Sequence, residues 1–384
     1  MDSALASIDT ADRHVEERRT AHGRFTTMSA EPSPAVPSFE SRIHGTLLGG
    51  ALGDSLGYAV EFDDVAAIRS RYGAAGLTSF QQLDGGSHFS DDTQMTLYTV
   101  DGLVEALEWA NDGVAADETA CLWLAYLRWL GTQGVALPAS APIPQPRWID
   151  RHEVLKHARH PGKACLSGLR TGEMGTLARP VNPDSKGCGT VMRSAPFGLV
   201  PHISEAAVYK LSTDGAALTH GHPSARQSAG AFSLLIHKVA AGSKVRTAAE
   251  HALDVVGALP DAAPELPQRL RAALELSASG SLLSPEELTA RLGEGWVAEE
   301  ALAVGLYAVL ATADAHGDPA DHFRSAVAVA VNHSGDSDST GSIAGNILGA
   351  FYGEAGLPSE WLDHLEGQDV IRGMAQRLVA VTLG

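Results

Sequence analysis

Residues 336–353 have the sequence DSDSTGSIAGNILGAFYG, in which glycine stands at every fourth position from 341 to 353. Residues 45–57, GTLLGGALGDSLG, repeat this spacing. A glycine inside a helix costs about 1 kcal/mol relative to alanine, so two such rows indicate a gain from close packing. The chain contains 40 glycines, which makes simple abundance the alternative explanation. We predict that the two segments pack at the centre of the fold.

The same stretch opens with carboxylates and hydroxyls, and residues 90–93 (Ser-Asp-Asp-Thr) form a similar cluster. Apolar residues at helical spacing follow both clusters, which predicts that each lies at a helix N-terminus. Oxygen ligands suit Mg²⁺ or Mn²⁺, whereas zinc prefers cysteine and histidine. Carboxylates that converge repel one another unless cations lie between them. The pattern predicts a binuclear metal centre, with ordinary helix capping as the alternative for either cluster alone.

Residues 336–340 also resemble two other motifs. They match the D-x-D-x-T nucleophile of dehalogenase-type phosphatases, but only 384 − 340 = 44 residues follow, too few for the rest of such a domain. They also match the start of an EF-hand loop, but Ile347 occupies the twelfth position, where a bidentate glutamate is required. Both alternatives are therefore weaker than the interpretation of residues 336–340 as one half of a two-metal site.

Composition excludes several classes of function. Lys and Arg number 28 and Asp and Glu 46, for a net charge of −18, which disfavours binding to nucleic acid or to anionic membranes. No run of 18 apolar residues is present, so no membrane span is expected. Cys121, Cys165 and Cys188 are too few and too scattered for a disulfide framework, which favours the cytoplasm. The charged and then proline-rich residues 1–38 predict a disordered tail.

Helical periodicity from Arg42 to the end predicts an all-α fold, with residues 326–331 as the main ambiguity. Residues 137–146 and 162–189 are rich in proline or glycine and are expected to lack long helices. Loops of that length often carry function.

Further candidates for chemistry are a glutamate, a glycine-rich segment with its cysteine, and two histidines. Glu61 lies among apolar neighbours, which would raise its pKa and suit it to proton transfer. In residues 187–193, glycines precede a predicted helix, so that backbone amides there can bind phosphate. Cys188 has no nearby base and is interpreted as a small packing residue. His220 and His222 are expected to cap a loop or bind ligand rather than chelate zinc.

Taken in order, these motifs strongly resemble those of the ADP-ribosylglycohydrolases. The resemblance covers about residues 42–380. It rests on GGALGDSLG (49–57), EF (61–62), SDDT (90–93), GCGTVMR (187–193), TH (219–220) and SGDSDSTG (334–341).

The resemblance implies an orthogonally packed, all-helical catalytic domain over residues 39–384, with two Mg²⁺ or Mn²⁺ ions in a central cleft. Asp92 or Glu61 would act as general base for the water or as a switch that clears space for substrate, a choice that stays open. The implied substrate contacts are the diphosphate with residues 187–189 and the distal ribose or a phosphate with His220. The implied metal ligands are Ser90, Asp91, Asp92, Asp336, Asp338 and Ser339, and the implied substrate-binding residues are Gly187, Cys188, Gly189 and His220.

The expected activity is metal-dependent hydrolysis of the bond between ADP-ribose and an acceptor, either a protein or a small molecule, with ADP-ribose as product. Arginine is the expected acceptor. Serine, a nucleobase and a small guanidine-bearing compound are alternatives, because all would share the ADP-ribose half. Two rivals are a non-catalytic, crystallin-like member of the fold and a phosphatase that acts through Asp336.

Overall fold

The chain is helical throughout the part described by this computed structural model, residues 36–384. Within that range there is no β-strand, and the pairing of Gly187 with Val297 is an isolated bridge. The predicted all-α fold is thus confirmed. The helices are α1 (Phe39–Tyr58), α2 (Val65–Tyr72), α3 (Asp91–Asn111), α4 (Glu118–Thr132), α5 (Lys163–Arg170), α6 (Glu205–Ala217), α7 (Pro223–Ala240), α8 (Val245–Gly257), α9 (Glu265–Ser277), α10 (Pro285–Leu292), α11 (Ala298–Thr312), α12 (Pro319–Val331), α13 (Ser337–Tyr352), α14 (Ser359–Leu362) and α15 (Gln368–Leu383).

Helices α1 and α13 form the most extensive helix contact among the described residues, and the two glycine rows lie in it. A Cβ atom added to Gly45 would stand 2.5 Å from the carbonyl oxygen of Gly349. At the other end of the contact, a Cβ on Gly57 would stand 2.6 Å from the Cα of Asp338. The backbones therefore touch directly, antiparallel, and only glycine permits this approach.

Polar contacts fix the N-terminal end of α1. It begins at Phe39, earlier than the periodicity from Arg42 indicates, because the Ser38 hydroxyl accepts the amide of Ser41 at 3.1 Å and caps the helix. The buried Arg42 guanidinium donates to the carbonyl oxygen of Ala350 at 2.6 Å, near the C-terminus of α13. Arg42 therefore satisfies a carbonyl that the end of α13 leaves unpaired.

Two uncertain segments are settled by the structure. The ambiguous residues 326–331 belong to α12. The predicted helix after residues 187–193 is wrong, because the chain forms a short 3₁₀ turn at Cys188–Thr190 and another at Ala195–Leu199. Pro196 lies in that second turn, where its missing N–H and fixed φ disfavour an α-helix.

Helices α3, α7, α11, α12 and α15 pack around the central pair, and residues 37–384 form one unit. The tail predicted over residues 1–38 falls almost wholly on residues 1–35, which lie outside the described part. Over residues 36–384, no helix is long and apolar enough to cross a membrane.

The glycine contact makes a stability prediction. Gly45→Ala places a methyl group against backbone atoms that cannot move aside, so the free energy of unfolding should fall by about 1–3 kcal/mol or more. Gly131→Ala is the matched control, because a Cβ there meets nothing within 4 Å, and it should leave stability unchanged or raise it by up to about 1 kcal/mol. Urea unfolding measures both, and equal effects would contradict the direct backbone contact.

Candidate functional site

The two acidic clusters meet in one cleft of about 460 Å³. Asp91 is the first residue of α3 and Asp336 occupies the N-cap position of α13, so both clusters lie at helix N-termini as predicted. Every predicted site residue except Ser90 lines this cleft. They are Glu61, Asp91, Asp92, Gly187, Cys188, Gly189, His220, Asp336, Asp338 and Ser339.

Ser90 lies beneath the cleft, where it caps α3. Its hydroxyl oxygen accepts the backbone amide of Asp92 at 3.1 Å, and the side chain is fully buried. Asp54, on α1, holds the same turn, since its carboxylate accepts the amides of Ser90 at 2.9 Å and Thr93 at 3.0 Å. Sequence reasoning did not assign Asp54 a role. The available signal was the position of Asp54 inside a glycine row. Because close packing buries that row, it also buries the Asp54 carboxylate.

Arg159 and Glu366 hold the first cluster from the other side. The Arg159 guanidinium donates to the carbonyl oxygen of Phe89 at 3.1 Å and lies 2.8 Å from a carboxylate oxygen of Glu366. The backbone oxygen of Arg159 accepts the amide of Asp91 at 3.1 Å, and the Gly162 amide donates to the Asp91 carboxylate at 3.1 Å. No local pattern identifies this pair, because its members lie far apart in the chain.

The second cluster is held by residues before α11. The Asp336 amide donates to the backbone oxygen of Glu294 at 2.8 Å. The Cys188 thiol lies 2.7 Å from a carboxylate oxygen of Asp336, and the Cys188 amide donates to the backbone oxygen of Trp296 at 3.2 Å. Cys188 is therefore more than the packing residue that we inferred, because its thiol lines the cleft and touches a predicted metal ligand.

Burial and mutual repulsion make the carboxyl groups hard to ionise. Burial first, and then the charge of Asp338, raises the pKa of Asp54 to about 7. Burial, followed by the charges of Asp338 and Asp336, raises the pKa of Glu61 to about 10. Three more carboxyl groups have pKa values well above the usual range, with burial as the largest cause: Asp91, Asp92 and Asp336.

One oxygen in the cleft lacks a partner. The buried Oδ2 of Asp92 has no hydrogen bond, and a buried acceptor left unpaired is costly. Between residues 36 and 384, no group of three or more histidine, cysteine, aspartate or glutamate side chains is placed so that it could hold a metal ion by itself. Mg²⁺ commonly binds through one or two carboxylates and keeps several waters, so this open set of oxygens fits hard cations.

The glycine turn at residues 187–189 forms another wall. A Cβ on Gly187 would stand 3.2 Å from His220 Nε2, and one on Gly189 would stand 2.8 Å from the Cys165 sulfur. Side chains at these glycines would fill the space that a ligand needs. Burial and the nearby Arg193 lower the pKa of His220 to about 3, so its imidazole is neutral. His222 instead caps α7 by accepting the amide of Ser224 at 3.1 Å.

Aromatic side chains surround Glu61 at the mouth of the cleft. His160 Nδ1 lies 3.2 Å from Glu61 Oε2, and His160 has a positive φ of 52°, uncommon for a residue other than glycine. The His160 ring stands 5.0 Å from those of Tyr58 and Phe62. Trp296 lines the same cleft. Sequence reasoning singled out neither His160 nor Trp296.

Comparison with known proteins identifies the family of this chain. The family model described as ADP-ribosylglycohydrolase matches residues 35–384. The ADP-ribosyl-(dinitrogen reductase) glycohydrolase of Rhodospirillum rubrum is 25% identical over 340 residues, which cover 86% of this chain and 92% of that protein. ADP-ribosylhydrolase ARH3 of Danio rerio is 27% identical over 357 residues, which cover 88% and 90%.

A solved structure described as an ADP-ribosylglycohydrolase-related protein complex has the same fold. Its TM-score with this chain is 0.60 at 22% identity, and the match covers 90% of this chain and 99% of that one. The family match spans nearly all of the described residues. The chain therefore belongs to the ADP-ribosylglycohydrolase family.

Proposed function

We propose that this protein hydrolyses the glycosidic bond between ADP-ribose and an acceptor, with two Mg²⁺ or Mn²⁺ ions in the cleft. Family membership supports ADP-ribosyl hydrolase activity. The observation that carries the metal dependence is the convergence of both acidic clusters in one cleft, where Asp92 Oδ2 is buried without a partner. Retention of this acidic set disfavours the non-catalytic, crystallin-like alternative.

The ions would be held by the carboxylates of both clusters with hydroxyl oxygens beside them. Asp91 and Asp92 would ligate from α3, and Asp336, Asp338 and Ser339 from α13. Ser90 stays a ligand that the sequence resemblance implies, although its buried hydroxyl does not line the cleft. Bound divalent ions supply charge for orienting ribose hydroxyls and lower the pKa of a coordinated water.

Glu61 is the carboxylate we assign to proton transfer, with Asp92 as the alternative. Glu61 lies at the mouth of the cleft, and His160 holds its carboxylate at 3.2 Å. Burial is the largest cause of the raised pKa of Glu61, and the charges of three proposed metal ligands, Asp338, Asp336 and Asp91, add to it. Bound cations would offset those charges and lower the pKa of Glu61, which favours the ionised form that accepts a proton from the attacking water.

The glycine turn and His220 would bind the diphosphate. Arg193 donates to the Thr219 hydroxyl oxygen at 2.7 Å, and that hydroxyl lies 2.8 Å from His220 Nδ1. In the tautomer in which the hydroxyl donates to Nδ1, the neutral ring carries its own proton on Nε2. This N–H faces the turn at Gly187 and can donate to a phosphate or ribose oxygen.

Arginine is the proposed acceptor, because a cationic guanidinium suits an acidic, aromatic cleft. Serine, a nucleobase or a small guanidine-bearing compound would share the same ADP-ribose contacts. The phosphatase alternative would release inorganic phosphate instead of ADP-ribose. The three free cysteines fit the reducing cytoplasm as the place of action.

The metal assignment predicts the effect of two substitutions. Asp92→Asn and Asp338→Asn should each lower kcat/KM for an ADP-ribosylarginine peptide by about 100-fold or more, because each removes a charge that holds a cation. Asp318→Asn, at the N-cap of α12, should match the parent, since Asn caps helices as well as Asp. Turnover is measured with Mg²⁺, Mn²⁺ or EDTA, and parental activity that survives EDTA contradicts the proposal.

The raised pKa values predict how stability depends on pH. Folding raises the pKa of Asp54 from 3.8 to about 7 and that of Glu61 from 4.5 to about 10. The folded protein therefore binds these protons more tightly than the unfolded chain, and the free energy of unfolding falls as pH rises. In EDTA the melting temperature should drop by roughly 5 °C or more between about pH 5 and pH 9.

Mg²⁺ or Mn²⁺ should offset this loss, and the gain in melting temperature should grow with pH because protons compete with cations for the carboxylates. Asp338→Asn should flatten the EDTA profile, because the Asp338 charge raises both pKa values. A flat or rising melting temperature for the parent in EDTA would show that the carboxylates are not coupled as described.

Glu61→Gln separates proton transfer from metal binding. The amide keeps the shape and loses the base, so kcat should fall by roughly 100- to 10,000-fold. The stabilisation by Mg²⁺ should remain near that of the parent, unlike in Asp92→Asn. If Glu61→Gln instead loses the metal-dependent shift in melting temperature, Glu61 acts as a ligand and the assignment to proton transfer is wrong.

A further inference from the structure

A second cavity lies at the opposite end of the central helices, and we call it the distal cavity. It is lined by the start of α8, the end of α9, the end of α11, one face of α12 and the end of α13. Its volume is about 1030 Å³, larger than that of the acidic cleft, and the two have no lining residue in common. The distal cavity is therefore a separate feature of the molecule.

Helix α13 gives the distance between the two cavities. Asp338 lies in its first turn, beside the acidic cleft, and Tyr352 is its last residue and lines the distal cavity. The 352 − 338 = 14 helical steps between them span about 21 Å. A molecule bound in the distal cavity would thus be distinct from whatever the acidic cleft binds.

Much of the wall of the distal cavity is apolar. Val309 and Leu310 are buried in its floor, Phe351 is half-buried, and Leu282 is 54% exposed. Sites for small molecules are concave and mostly apolar, with a few polar groups in fixed positions. The distal cavity has the apolar part of such a site.

Arg246 supplies a polar group in a fixed position. Its half-buried guanidinium donates to the backbone oxygen of Leu274 at 3.2 Å and to the hydroxyl oxygen of Ser277 at 3.0 Å. Both acceptors are neutral and belong to the end of α9, so they orient the guanidinium without balancing its charge. A guanidinium has five N–H donors, and these two bonds leave three of them for a ligand.

The charges at the distal cavity favour an anion. Lys244 adds a second cation two residues before Arg246, and within residues 36–384 neither forms an ion pair. Among the described residues that line the cavity, Asp314 is the single carboxylate, and it is exposed. The net charge of −18 repels anions from the protein as a whole, so two unpaired cations in one cavity are a local exception.

The histidines of the cavity already have partners within the fold. His322 Nδ1 lies 2.8 Å from the Tyr352 hydroxyl, and its Nε2 lies 3.0 Å from the backbone oxygen of Val309. His316 Nε2 lies 2.7 Å from the Ser325 hydroxyl. The two cations are therefore the charged donors that remain available to a ligand.

We propose that the distal cavity binds a small aliphatic carboxylate, with the head group on Arg246 and the chain on the apolar wall. A carboxylate accepts two parallel N–H bonds from one guanidinium, which is a strong and directional pairing. The chain removes Val309, Leu310 and Phe351 from water, which adds a hydrophobic gain. Lys244 increases the attraction for the negative head group.

Calorimetry of the full chain with decanoate tests the proposal, and decanol serves as the neutral probe of the same chain length. Arg246→Ala removes the partner of the head group, and Arg246→Lys keeps the charge without the fork. Leu282→Asp places a negative charge in the wall on an exposed side chain, so it should not disturb the core.

Two controls locate the binding. Arg271→Ala removes an exposed arginine on α9 that does not line the distal cavity. Lys163→Ala removes the single lysine that lines the acidic cleft. The melting temperature of each variant shows whether it is folded, and EDTA in the buffer keeps divalent ions from precipitating decanoate.

We expect the parent to bind one equivalent of decanoate. Arg246→Ala should raise Kd by roughly 10- to 100-fold, the range of hydrogen bonds to a charged group, and Arg246→Lys should raise it less. Leu282→Asp should raise Kd by about 5-fold or more through repulsion near the surface. Both controls should stay within about two-fold of the parent, and decanol should bind about ten-fold more weakly or worse.

Four results would overturn the proposal. They are a parent that does not bind decanoate, equal affinities for decanoate and decanol, binding of several equivalents that Arg246→Ala leaves unchanged, and a loss in Lys163→Ala in place of Arg246→Ala, which would put decanoate in the acidic cleft. If Arg246→Ala does not fold, Arg246→Lys and Leu282→Asp decide, and an unchanged Kd in both contradicts the site.

Discussion

The direct backbone contact between α1 and α13 is the constraint on which the rest of the structure depends. Because no side chain separates the two helices, the end of α1 meets the start of α13, and a Cβ at Gly57 would stand 2.6 Å from the Cα of Asp338. One turn earlier on α1, Asp54 accepts the amides of Ser90 and Thr93. A single helix thereby positions both acidic clusters, and a wider spacing would pull them apart.

The chemistry of the cleft follows from this crowding. Carboxyl groups buried side by side resist ionisation, as the raised pKa values of Asp54, Glu61 and Asp92 record. Cations between such oxygens would offset their mutual repulsion. In the proposed mechanism, bound cations would relieve part of this repulsion, which after burial is the second influence on the pKa of Glu61, and so favour its ionised form.

Local patterns in the sequence were sufficient to predict the fold class, the central helix contact and the position of both acidic clusters. Helical spacing after residues 90–93 and 336–340 placed both clusters at helix N-termini, and the glycine rows indicated the central contact. The misses have physical causes. Pro196 lies where a helix was predicted after the glycines of residues 187–189, and it disfavours that helix. Arg159, Glu366 and Trp296 were missed because their hydrogen-bond partners lie far away in the sequence. A contact between remote residues leaves no periodic trace, so only the fold identifies it.

The central contact also bears on how the protein is made. Arg42 reaches the carbonyl oxygen of Ala350 across 308 positions of the chain. A ribosome releases the first of these residues long before the second, so α1 has to wait for its partner with its glycine face uncovered. Contacts between residues so far apart in sequence form slowly, because the entropy cost of closing the loop comes before the contacts stabilise the fold. The acidic cleft needs α13 as well as α1, so it is among the last features to form during synthesis.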